Sequence, residues 1–123
     1  MILVDTSVWI NHLRQDNPKL ASFLESGFVF THPFVVGELS CDSLKKREYF
    51  LRDLRTLPVV KAASDEEVSH FIEERKVWGR GIGWIDAHLL ASSILTGCRL
   101  WTFDLGLHEV AAELGLTTAR GSR

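Results

Sequence analysis

Short apolar runs alternate along the chain with longer segments whose apolar residues return every three or four positions. The runs "MILV", "GFVFT", "LPVVK", "CRLWTF" and "LTTA" predict short strands, each nearly continuous in apolar residues rather than alternating. Such strands suit a sheet covered on both faces, and helices between them imply parallel crossovers. The fold class is therefore α/β, a small parallel β-sheet of about five strands flanked by helices. With no internal repeat and no segment biased toward a linker, residues 1–123 are read as one domain.

The helix boundaries carry signals of their own. Asn17 and Pro18 supply a cap and a first turn, Leu20, Phe23 and Leu24 share one face, and Gly27 is a stop. A helix starting near Pro33 carries "FVVGEL". Ser43 is read as the cap of another, with Leu44, Phe50, Leu51 and Leu54 inward and Lys45, Lys46, Arg47, Arg52 and Arg55 solvated, up to Pro58. Ser64 with Glu67 forms a capping box ahead of Val68, Phe71 and Ile72. "GRGIG" interrupts the pattern as a flexible loop, and "WIDAHLLASSILTG" follows as a helix ending at Gly97. Asp104 opens a last helix, with Leu107, Val110, Ala111 and Leu114 inward and Gly115 as its stop.

Composition adds little to this picture: 46% hydrophobic and 24% charged residues are ordinary for a globular domain. The first apolar run ends at Asp5 without a basic leader, and nowhere do about eighteen apolar residues run together, so a soluble cytoplasmic protein is expected. Cys41 and Cys98 follow neither metal nor redox spacing and read as small buried thiols. A net charge of -2 argues against binding nucleic acid by bulk electrostatics alone.

Four acids do change the picture. Asp5 follows the first strand, Asp104 follows "LWTF", Glu38 sits inside "PFVVGELS", and Asp86 inside "GIGWIDAHLLA". In open parallel sheets ligands bind beyond the carboxyl ends of the strands, the edge that Asp5 and Asp104 occupy. The plain alternative is that Asp5 and Asp104 cap the helices after their strands, and that Asp86 favours a first turn. It does not serve Glu38, between Val36 and Leu39, and it strains for Asp86, among Trp84, Ile85, Ala87 and Leu89; both acids are expected in apolar, buried surroundings.

An unpaired buried carboxylate costs several kcal/mol or is neutralised, so four such groups call for cations. Lys and Arg are almost missing from the sequence around them, which makes a divalent metal the simpler partner. Hard oxygen ligands favour Mg²⁺ or Mn²⁺ over Zn²⁺, with one or two direct carboxylates and the rest acting through water or a second ion. Metal ions held this way activate water and stabilise a leaving oxygen, often as a pair ~4 Å apart, which points to hydrolysis of a phosphodiester. The hydroxyls of Thr6, Ser7 and Thr102 either hold the carboxylates from behind or act as plain caps.

Taken together, "MILVDTSVWI", "GELS", "GIGWIDAHLLAS" and "LWTFD" resemble the PIN-domain ribonucleases, specifically the VapC toxins of bacterial toxin-antitoxin pairs, over essentially the whole chain. The resemblance implies a small parallel sheet flanked by helices, with Asp5, Glu38, Asp86 and Asp104 forming a Mg²⁺ or Mn²⁺ site in which Asp5 and Asp86 are the principal ligands. It also implies RNA cleavage, toxicity through loss of translation, a homodimer, and neutralisation by a VapB-like antitoxin. Setting the four site acids aside turns the net charge of -2 into +2, so the remaining surface is mildly basic. Most basic side chains on the helices read as a solvated face. Arg80 differs, lying in the glycine-rich loop just ahead of Asp86, where a mobile cation could meet RNA or an antitoxin acid.

Trp9, Trp84 and Trp101 sit in apolar patterns and read as core or dimer packing. His88, two positions after Asp86 on a helix, points away from it, and His12, His32, His70 and His108 form no ligand spacing. Two rival functions are weighed. A phosphatase of the haloacid-dehalogenase type resembles "DxDx" after the first strand, where this chain reads "DTSV". A non-catalytic RNA- or partner-binding module with the same fold would be expected to lack an acid, and all four are present.

Overall fold

The computed structural model describes residues 1–117. Its elements are β1 (Ile2–Val4), α1 (Thr6–Gln15), α2 (Pro18–Glu25), β2 (Val29–Phe30), α3 (Pro33–Ser40), α4 (Arg47–Leu54), α5 (Asp65–Arg75), α6 (Trp84–Thr96), β3 (Arg99–Trp101) and α7 (Leu105–Glu113). The sheet is parallel throughout, in the order β2-β1-β3, with Leu3 opposite Phe30 on one side and Leu100 on the other. The α/β class and the covered parallel sheet expected from the sequence are borne out. Leu3, Val4 and Leu100 are fully buried, as strands flanked by helices on both faces must be.

The strand count is corrected from about five to three among the described residues. "LPVVK" contributes only a single parallel bridge, Val59 to Thr31, flanked by Thr31 N–H to Pro58 O and Val60 N–H to Thr31 O. Pro58 has no N–H to donate and Val59 is exposed, so the run cannot extend into a ladder. The "LTTA" run begins beside β3, where Leu100 N–H donates to Leu116 O; from residue 118 onward it lies outside the described residues.

The helix ends follow their local chemistry. Asn17 accepts from Leu20 N–H with Pro18 behind it, Ser64 and Glu67 close the capping box, and Gly97 ends α6 in the left-handed region at φ 75. Ser43 is not a cap: α4 starts at Arg47 behind Lys46, and the Arg47 guanidinium reaches back to Ser40 O at 2.7 Å. Leu51 and Leu54 face the core as expected. No helix among the described residues is long and apolar enough to cross a membrane.

Candidate active site

Because β1 lies between β2 and β3, the chain leaves its carboxyl end toward one neighbour and later returns on the other side. Asp5 stands at that switch point, the place where a parallel sheet opens a crevice. It occupies the N-cap position of α1, yet its carboxylate makes no cap bond. Instead the hydroxyls of Ser7 and Thr102 both donate to Asp5 Oδ2, each at 2.7 Å. Ser7 Oγ in turn accepts from Phe103 N–H at 3.0 Å, and Thr102 Oγ1 from Asp104 N–H at 3.0 Å. The ends of β1 and β3 are thus tied together around one buried carboxylate.

Asp104 does act as a cap, its Oδ1 accepting from Leu107 N–H at the start of α7. Asp86, at the third position of α6, takes Gly83 N–H on Oδ2 at 3.0 Å. Glu38, near the end of α3, receives the Thr6 hydroxyl on Oε1 at 2.7 Å. Thr6 therefore serves Glu38, while Ser7 and Thr102 serve Asp5.

The Asp86 carboxyl is pushed above the ordinary aspartate range, chiefly by burial, with repulsion from Asp5, Asp104 and Glu38 added and the Gly83 amide pulling the other way. One side chain thus senses all three other acids. None of the four forms an ion pair among the described residues. No three Asp, Glu, His or Cys side chains there stand close enough to make a finished coordination sphere. Carboxylates that repel one another and present only hard oxygens suit a hard divalent cation that takes one or two of them directly and completes its shell with water.

The expectation of an apolar, closed pocket is corrected. Only Asp5 is buried, Asp86 is intermediate, and Glu38 and Asp104 are exposed, so the acids line an open edge of the sheet. Glu38 escapes burial because Val35 and Leu39 take the inward positions of α3. Trp84 is 45% exposed and so not in the core, and Cys41 is exposed, whereas Trp9, Trp101 and Cys98 are buried as read. His88 points away from Asp86 and meets Asp65 at 3.1 Å. Arg80 is not a free cation, since its guanidinium grips the Glu113 carboxylate at 2.9 and 2.7 Å.

Two supporting residues went unread in the sequence. His32 caps α3, its Nδ1 accepting from Phe34 N–H at 2.9 Å, and faces Ser92 Oγ of α6 at 3.2 Å, thereby joining the helices that carry Glu38 and Asp86. The His-Pro pair is a legible signal for the cap, because the residue before a proline at the first helical position is the N-cap. Nothing in the sequence marks Ser92.

The chain belongs to the PIN-domain family, whose model matches residues 2–113. Among individual proteins it is similar to Ribonuclease VapC32 of Mycobacterium tuberculosis, 42% identical over 120 residues that cover 97% of each chain. The same figures hold for that protein in strains CDC 1551 / Oshkosh and ATCC 25618 / H37Rv. The resemblance to VapC proteins read from four short strings is borne out over nearly the full length.

Proposed function

We propose that the chain is the toxic endoribonuclease of a VapBC-type toxin-antitoxin system, hydrolysing RNA phosphodiester bonds with Mg²⁺ or Mn²⁺. The reading is supported above all by Asp86, whose carboxyl is raised above the ordinary aspartate range by burial and by three neighbouring acids, none of the four forming an ion pair among the described residues. Asp5 and Asp86 would be the principal ligands, with Glu38 and Asp104 acting directly or through water. Bound there, the ion would supply Lewis acidity and an activated water for attack on phosphorus.

The chain's own groups prepare this chemistry. Ser7 and Thr102 fix the Asp5 carboxylate so that it need not reorganise when charge develops. Thr6 holds Glu38 toward the same edge, and Gly83 N–H orients Asp86. Glu38 and Asp104 are exposed, so an RNA phosphate would meet them from solvent. A VapB-like antitoxin, supported by the likeness to VapC32, a homodimeric assembly and a cytoplasmic location complete the proposal.

The test is cleavage of RNA by purified protein with and without metal. Cleavage is expected only with Mg²⁺ or Mn²⁺, and Asp5→Asn is expected to abolish it while circular dichroism stays unchanged. Wild-type rates in excess EDTA, or from the Asp5→Asn protein, would refute the mechanism.

A further inference from the structure

The loop between α5 and α6 contains Gly79 and Gly81 at φ 71 and 80, so its backbone is intrinsically loose and its shape depends on what holds it. Three contacts do. Gly83 N–H binds Asp86 Oδ2. The Gly81 carbonyl lies over the first turn of α7, where a Cβ on Gly106 would stand 3.9 Å from that oxygen and 3.4 Å from Asp104 Oδ1. At the other end of α7, Arg80 and Glu113 form a bidentate pair, with the Arg80 side chain 33% exposed.

Gly106, Glu109 and Glu113 recur at i, i+3 and i+7, one face of α7. Glu109 also attracts the Arg80 guanidinium. The loop therefore lies beside the first turn of α7, the Arg80 side chain reaches from it to Glu113 in the last turn, and the loop ends on the turn that opens the acid-bearing α6.

We propose that Arg80 and Glu113 form a latch that holds the 79–83 loop against α7 and so fixes Asp86 relative to Asp104, making Arg80 a positioning residue. The inference rests on the nuclease reading above. Exposed ion pairs contribute little to global stability, but bidentate geometry is the exception, and this pair acts on the freedom of a glycine loop.

The experiment compares Arg80→Ala, Glu113→Ala and the double variant by amide hydrogen exchange at Gly83, whose N–H is held by Asp86, and by kcat and KM on an RNA oligonucleotide. Both single variants are expected to speed exchange in the loop by about tenfold and to lower kcat roughly tenfold with KM little moved. The double variant should be no worse than either single, because losing one partner already opens the latch. If Arg80 instead contacts RNA phosphate, Arg80→Ala raises KM and weakens its salt dependence while Glu113→Ala leaves kcat and exchange at wild-type values, which overturns the latch. Unchanged loop exchange in both single variants overturns it as well. A wild-type protein without ribonuclease activity overturns the nuclease reading alone, and the exchange measurements still decide the latch.

Discussion

His32 is where acid should first loosen the fold. Its Nδ1 accepts the Phe34 N–H, so the neutral ring carries its proton on Nε2 and donates to Ser92 Oγ, which also accepts Ala63 N–H at 2.9 Å. A second proton on the ring would set a donor at Nδ1 against the donor at Phe34. The ring is 1% exposed, and burial first, then the neighbouring His88, lowers its pKa from 6.5 to about 4.

A lowered pKa means that the unfolded chain binds this proton more readily. The stability involved is fully present above the unfolded value of 6.5 and is lost as the pH falls toward 4. Integrated from about pH 7.5 to about pH 5, the loss is about 2 kcal/mol. The assay is urea unfolding followed by tryptophan fluorescence at those two pH values, for wild type and His32→Asn. Asparagine caps helices well and does not titrate, while His12, His70 and His108 are common to both proteins and cancel in the comparison. Wild type should lose about 2 kcal/mol more than the variant across this interval. Equal losses would show that His32 does not carry the acid sensitivity.

Ser7→Ala removes one of the two hydroxyls on Asp5 Oδ2 and the acceptor of Phe103 N–H, and should lower both Mn²⁺ affinity and RNA cleavage by roughly 10–100-fold. Unchanged affinity by calorimetry would deny Ser7 that role. Leu3→Ala, fully buried in the central strand, should destabilise the protein by about 2–5 kcal/mol in urea unfolding; a loss under about 1 kcal/mol would mean that the site can collapse around the cavity.

The features legible in the sequence are those decided within a few residues. Asn17 with Pro18, Ser64 with Glu67, and Gly97 announced their helix ends because a cap depends on side chains three or four positions away. Asp5 and Asp104 were legible because a strand's end fixes where the next residue stands. Features that depend on distant contacts were not legible. Glu38 lies in apolar sequence but outside the apolar interior, because α3 turns Val35 and Leu39 inward and leaves Glu38 on its outer side. The pairing of Arg80 with Glu113 spans 33 positions and that of His32 with Ser92 spans 60, so neither leaves a local pattern.

Capping and catalysis, set against each other in reading the aspartates, turn out to be compatible. Asp104 caps α7 through Oδ1, and Asp86 holds the turn that opens α6 through Oδ2, so each carboxylate is anchored by a backbone amide at one oxygen. An oxygen fixed in this way orients the other, which is what a metal-binding edge requires of its ligands. Asp5 reaches the same end by different donors. Its cap role is given up, and two hydroxyls, one from the first turn of α1 and one from the end of β3, converge on Oδ2. Those hydroxyls are themselves held by Phe103 and Asp104 amides, so the central acid is braced by the strand across the crevice as well as by its own helix. Its position after the middle strand lets Ser7 of its own helix and Thr102 after the neighbouring strand hold it together.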